Sequence, residues 1–454
     1  MTDTALRRRV RGWMMFDWAS QPFFTLCLTF IFGPYLTGVL ADAWVGNIGE
    51  QAADAQAQQV WSWTQTGIGV AIALSAPLLG AIADRSGRRM RWIWVFSILY
   101  VAGASGMWFM MPDGSGLLLA LAAFALAMIG AEFATVFTNA MLPDLAERAQ
   151  IGRISGWAYA LGYAGGVLAL FLMLGLFADG PEGTTLLGAS PAFGLDGAAR
   201  EGTRFVGPFT ALWYVVFMVP FFLWVRDPAP VAMPVRTTLR QAWADVVAML
   251  RTLPARPSLA AWLAGSMLYR DALVALYAFG GVYARLVLGW ETTQIGIFGI
   301  LSAITAAVAS WVGGNLDGRH GPKPVITGCV LILSGVVLVL CAMSREMVFG
   351  IPVGPGNPAP DILFFAVGCV IGGAGGVLQA SSRTMMVRHT DPARPTEAFG
   401  LYALSGKATA FLAPLSIGIA TWATGSARLG IFPVALLFIA GLILLRWVDP
   451  EGDR

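Results

Sequence analysis

Few side chains here are of a type that does chemistry, and most of those stand inside long apolar runs. Arg270 and Asp271 are consecutive near the middle of the run 258–287, and Lys407 lies in the run 398–423. Glu132 falls in the run 116–140, and Asp17 near the start of the run 14–40. An ionised group inside a bilayer costs a few kcal/mol even on insertion scales, so each needs a counter-charge, a hydrogen-bond partner or a wet cavity. Consecutive helical residues point about 100° apart, so Arg270 and Asp271 need partners on different helices. The expected arrangement pairs Asp271 with Lys407. Arg270 then turns to a carboxylate on the first half of the chain, Glu132 or Asp17, or on a bound solute. The competing reading is a set of structural ion pairs that keep helices in register, and for Asp17 a favourable helix-dipole contact. Tyr269, Asn139, Gln379, Tyr402 and Trp18 are candidates for lining a cavity. Singly, each fits helix–helix hydrogen bonding or interfacial anchoring better.

Composition says what solvent these residues meet. The 454 residues are 57% hydrophobic and 12% charged, with a mean hydropathy of +0.69. Soluble domains carry about twice that charged fraction, so the surroundings of most of this chain are lipid. A net charge of +3, with no basic run interleaved with aromatics, gives no support to nucleic acid as a partner. Cys27, Cys329, Cys341 and Cys369 sit in or beside apolar runs without metal-ligand spacing, and read as small packing residues. The only histidines, His320 and His389, fall in polar connectors. No Walker loop, HExxH or GxSxG signature is present. An enzyme is not expected, nor a metal or cofactor.

A bilayer-spanning helix needs about 20 apolar residues. Runs of that length lie at 14–40, 60–82, 92–111, 116–140, 153–177 and 205–225, and again at 258–287, 295–316, 324–343, 361–386, 398–423 and 428–447. The first is too long for a secretory leader and is expected to be retained. The fold expected is all-α and integral to the membrane, with twelve transmembrane helices in two six-helix bundles, 1–225 and 258–454. A cytoplasmic linker, 226–257, joins them, and within it 238–253 has apolar residues at the spacing of an amphipathic surface helix. Of the 29 lysines and arginines, Arg200, Arg204, Arg285, Arg345 and Arg428 fall on one face, and Arg270 and Lys407 lie inside runs. The remainder lie in connectors on the other face or at the termini, which predicts both termini in the cytoplasm. The connector 178–204, rich in glycine and of mixed charge, reads as a solvated outer loop.

The halves echo each other. Asp84, Gly87, Arg88 and Arg89, in the basic loop after the second run, return as Asp317, Gly321 and Lys323 after the eighth. Gly156-Trp-Ala-Tyr-Ala-Leu-Gly likewise resembles Gly400-Leu-Tyr-Ala-Leu-Ser-Gly. Repeated six-helix halves with a site between them at mid-membrane are a transporter arrangement. In the loop, Asp84 is placed to accept from backbone N–H groups at a neighbouring helix start, with Arg88 engaging an acidic partner. Together these would latch the cytoplasmic side. The second loop has an extra residue between Asp317 and its glycine, which weakens the parallel. Pro22, Pro77 and Pro414 mark places where helices can bend.

The loop Asp84-Arg-Ser-Gly-Arg-Arg resembles the signature of the major facilitator superfamily. Further stretches are similar to its autophagy-related vacuolar effluxer-like family and bacterial relatives. These are Phe16-Asp-Trp-Ala-Ser20, Thr138-Asn-Ala-Met-Leu-Pro-Asp144, Ser155-Gly-Trp157, Leu268-Tyr-Arg-Asp271, Gln379-Ala-Ser-Ser-Arg383, Phe399-Gly-Leu-Tyr402 and Ser405-Gly-Lys407. The resemblance covers essentially the whole chain. It implies a secondary transporter of a small solute across the cytoplasmic membrane by alternating access, with amino-acid efflux the cargo suggested by the fungal namesakes. Buried carboxylates make protons the first candidate coupling ion, and a monomer is expected. A drug, sugar or lipid-like cargo stays open, as does a receptor that binds without transporting.

Overall fold

In lipid no water satisfies backbone N–H and C=O groups, so an apolar run must close its hydrogen bonds within itself as a helix. The computed structural model describes residues 3–180, 183–227, 239–290, 292–354 and 356–453, so 228–238 of the expected linker lie outside the described residues. Among those described, twelve helical stretches are long and apolar enough to cross a membrane. The first is α1 (Asp3–Pro22), a π-helical turn (Phe23–Phe30) and α2 (Phe32–Ile48), with a break at Ile31 (φ −124°). Pro22 ends the regular ladder where bending was expected, and the wider π turn takes up the mismatch. There follow α3 (Glu50–Ser86), α4 (Arg89–Gly106), α5 (Leu117–Asn139), α6 (Arg148–Leu176), the short α7 (Glu201–Arg204) and α8 (Val206–Trp224). After α9 (Leu239–Thr252) come α10 (Pro257–Leu288), α11 (Thr292–His320), α12 (Pro322–Cys341) and α13 (Ala359–His389). The eleventh stretch is split into α14 (Pro395–Ala408) and α15 (Leu412–Thr424), and the last is α16 (Ala427–Gly430) with α17 (Phe432–Leu444). A two-residue hairpin, Met347–Val348 with Ile351–Pro352, lies between α12 and α13.

Several helices outrun the apolar runs. α3 begins ten residues before the expected start at 60, because Gln56, Gln58, Gln59 and the alanines among them continue a helix outside the hydrocarbon without penalty. α13 runs on to His389, three residues past the expected end at 386, which carries His389 out of the expected connector and into a buried helix end.

The chain divides into two compact units. One comprises Met1–Ser75, Ser86–Thr138 and Leu161–Pro234. Its interior is aromatic: Trp13, Phe16, Phe23, Phe32, Tyr100, Phe124, Phe137, Tyr214 and Phe221 are essentially inaccessible. Polar groups pair within it, Trp13 Nε1 donating to Thr138 O at 2.8 Å and Ser97 lying 2.8 Å from the Tyr214 hydroxyl. The connector 178–204 is more than a solvated loop. Asp179, buried, accepts from Arg200 Nε at 2.9 Å and from the Thr203 hydroxyl. Arg204, also buried, lies over the Trp108 ring at 4.6 Å and donates to Trp108 O.

The other unit comprises Ala76–Arg85, Asn139–Ala160 and Val235–Arg454, so two stretches from early in the chain belong with the later helices. Residues 448–453 are laced across its helix ends. Asp453 accepts from Ser258 N at 2.8 Å and Leu259 N at 2.9 Å, capping α10 from a distant part of the chain. Lys323 donates to Val448 O at 2.7 Å, and Glu451 pairs with Arg388 at 2.7 Å. His389 Nδ1 lies 3.0 Å from Met385 O, a position that requires it to donate, so Nε2 accepts from the Ser258 hydroxyl 2.7 Å away. Replacing Asp453 with alanine removes the α10 cap and is expected to cost about 1 kcal/mol. Thermal unfolding in detergent should show a lowered midpoint for Asp453→Ala, with Asp453→Asn, which keeps an acceptor, much closer to the parent.

Candidate substrate site and cytoplasmic latch

The expected mid-membrane charges cluster around the break between α14 and α15. Pro414 has no N–H to offer Ala410, and its ring crowds that carbonyl, so the helix cannot run through. The break leaves the amide groups that open α15 without intrahelical acceptors. Asp271, buried on α10, supplies one: its Oδ2 accepts from Ala413 N at 3.1 Å. A carboxylate there also favours the positive end of the α15 dipole. The partner of Asp271 is therefore a backbone amide, not the expected Lys407. Lys407 lies half-buried in the last turn of α14.

Arg270, one residue earlier and half-buried, points to the other side of the break. Its Nη1 donates to Tyr402 O at 3.0 Å, and the guanidinium carbon stands 4.1 Å from the Tyr402 ring centroid. Gly406 makes the room, since any side chain there would occupy the guanidinium's place. Tyr402 is itself backed by Trp262, stacked at 6.3 Å and fully buried. Among the described residues no carboxylate lies within ion-pair distance of Arg270. Among the described residues its hydrogen bond goes to a neutral carbonyl, and no counter-charge meets this guanidinium near the middle of a span.

The polar candidates divide. Tyr269 is fully buried, with its hydroxyl 2.7 Å from Ser382 Oγ, so in this state it joins α10 to α13 and lines no cavity. Gln379 donates to Gly375 O one turn back, at 3.4 Å. Asn139 accepts from Arg383 Nη1 at 3.3 Å. In the first unit, Asp17 of α1 packs against Gly162 of α6, and Glu132 is half-buried on α5. Trp18 stacks on Trp213, whose Nε1 donates to Trp18 O at 3.1 Å.

At the basic loop, Asp84 accepts from Thr396 N at 3.1 Å and Glu397 N at 2.8 Å, the opening amides of α14. Gly80 and Gly400 lie where the two helices cross, each against the other helix's backbone. The symmetry-related crossing is made by Gly156 of α6 and Gly314 of α11, which explains the echoed glycine motifs. Gly87 (φ +61°) turns the chain out of α3, and Arg89 opens α4. Arg88 finds no acidic partner among the described residues. The neighbouring carboxylate, Asp227, instead caps α4 through Met90 N at 3.1 Å. Asp317 lies buried against Gly152, and among the described residues neither of its oxygens meets a donor in hydrogen-bond geometry.

Arg383 was missed as a site residue because, near the end of its apolar run, it was counted with the basic residues that set orientation. Buried in α13, it donates through Nε to Ser155 Oγ and through Nη2 to Ser155 O, both at 2.8 Å, besides its bond to Asn139. Its guanidinium also covers the Tyr159 ring at 4.4 Å. The signal available was the small hydroxyls around it, Ser381 and Ser382, beside a basic residue in an otherwise apolar helix. Arg383→Lys keeps the charge but cannot serve these acceptors together. It is expected to lower stability by about 1–3 kcal/mol, seen as a lower unfolding midpoint in detergent.

Twelve spans in repeated halves, charges at a helix break and an aspartate capping a helix across the repeat define a transporter of the major facilitator superfamily. The solved structure of the human organic anion transporter MFSD10 (TETRAN) is similar in fold, with a TM-score of 0.72 at 16% identity over 97% of this chain and 99% of that one. The family described as "Vacuole effluxer Atg22 like" matches residues 5–454, and the chain belongs to it. The uncharacterized MFS-type transporter YxiO of Bacillus subtilis is 22% identical over 98% of this chain and 95% of its own length. Autophagy-related protein 22-1 of Aspergillus terreus is 25% identical over 70% of this chain, which spans 52% of that longer protein.

Proposed function

We propose that this transporter exports a small carboxylate-bearing solute, amino acids first among the candidates, by alternating access across the cytoplasmic membrane with both termini inside. The observation that carries the reading is Arg270, a half-buried guanidinium near mid-span with no ion pair among the described residues. A cation so placed is costly unless an anion joins it, and a solute carboxylate meets that need by a two-point hydrogen bond. The effluxer description of the family and the anion cargo of the fold's human neighbour point the same way. Asp271 is the candidate proton carrier. Protonation would weaken its hold on the start of α15, coupling a proton to the pose of the broken helix. Asp84 on α14 and Arg383 on Ser155 and Asn139 are the contacts that tie the stretches 76–85 and 139–160 to the later helices. In this reading they form the closed cytoplasmic gate and part when it opens.

Counterflow of labelled amino acids in proteoliposomes tests this. Arg270→Lys should raise the half-saturating concentration more than about tenfold, the scale of a lost charge-assisted hydrogen bond. Asp271→Asn should keep counterflow while losing the stimulation by an imposed pH gradient. Full pH-driven transport by Asp271→Asn would remove proton coupling at this residue. Unchanged saturation in Arg270→Lys would remove the anion anchor.

A further inference from the structure

The 14-residue α9 is too short to span a bilayer, yet its surface is not that of a water-exposed connector. Ala242 and Val246 are buried and pack with Ala81, Leu78 and Ile82 of α3. Those α3 residues lie within about two turns of Asp84, where the second span ends. α9 therefore sits at the depth where α3 leaves the hydrocarbon.

Around the helix from this buried face, at 100° per residue, comes an apolar stripe of Leu250, Trp243 and Val247. Trp243 is 58% exposed and Leu250 42% exposed. Arg240 and Arg251, both exposed, follow directly, and beyond them lie exposed Ala244, Ala248 and Gln241. The sectors run in order from protein through apolar stripe and arginines to a small or polar face. A tryptophan-bearing stripe bordered by arginines matches the requirements of a helix lying in a membrane interface, with rings at headgroup level and cations on phosphates. The stripe and its border hold two positive charges and no carboxylate, so the complementary surface is anionic.

We infer that α9 is an interfacial helix that binds anionic phospholipid. Trp243, Val247 and Leu250 enter the headgroup–acyl boundary, and Arg240 and Arg251 engage phosphate oxygens.

Hydrogen exchange of the peptide 239–252 in the full-length protein tests it. The protein is placed in nanodiscs of phosphatidylcholine alone, or with about one-third phosphatidylglycerol. Exchange should slow in the anionic discs by about fivefold per engaged arginine. Arg240→Gln with Arg251→Gln should abolish the difference between lipids, and Trp243→Ala should speed exchange in both. Unchanged exchange in the spans of each variant would show that the fold is intact. Equal exchange of the parent in both lipids would overturn the inference. So would protection reproduced by inorganic phosphate in neutral discs, or protection that appears only with two copies per disc.

Discussion

The governing constraint is that, within lipid, every amide freed by a break and every buried charge must find its partner in the protein or in what the protein carries. Pro414 opens the constraint by interrupting the eleventh span. Asp271 then closes one exposed amide of α15, and Arg270 lies against Tyr402 of α14. The consecutive Arg-Asp pair thus grips both sides of one break. The aspartate has its electrostatic need met by a helix start. Among the described residues the arginine has a carbonyl and an aromatic face but no carboxylate, and that imbalance is what our proposed anionic cargo would redress.

The same rule fastens helix ends elsewhere in the molecule. Asp84 meets the opening amides of α14, Asp227 that of Met90 in α4, and Asp453 those of α10. In each case a carboxylate from elsewhere in the chain satisfies a helix start, a pattern that fastens helix ends without covalent links. Glycines at the crossings of α3 with α14 and of α6 with α11 bring the backbones close enough for such reach. Interactions of this kind are strong when aligned and lost over a small displacement, the property on which the gate proposed for Asp84 relies.

Much of this was legible in the sequence, because span length and the distribution of arginines are read directly from hydropathy and charge. The twelve spans and the break near Pro414 follow from rules that act locally. The place of Asp84 followed too, since a carboxylate at the end of α3 has few partners besides a helix start. The partner of Asp271 did not. Lys407 was the obvious opposite charge, but the competing acceptor need of Ala413 exists only once the helix is broken in three dimensions. Tyr269 looked like a cavity residue and proved a buried link to Ser382, because which side of a helix faces a neighbour is set by packing that an all-apolar run does not encode. Arg383 escaped notice because, three residues from the end of its apolar run, it was counted with the basic residues that set orientation, while its acceptors Ser155 and Asn139 come from a distant part of the chain.

The central claim is that Arg270 recognises a carboxylate on the cargo. Its most direct test is competition against a bound labelled amino acid, on purified protein, by matched analogues whose carboxylate is intact, amidated or absent. The account predicts that the free acids compete while the amides and amines fail to compete at a hundredfold higher concentration, and that Arg270→Gln erases the distinction. Equal competition by acid and amide would contradict it.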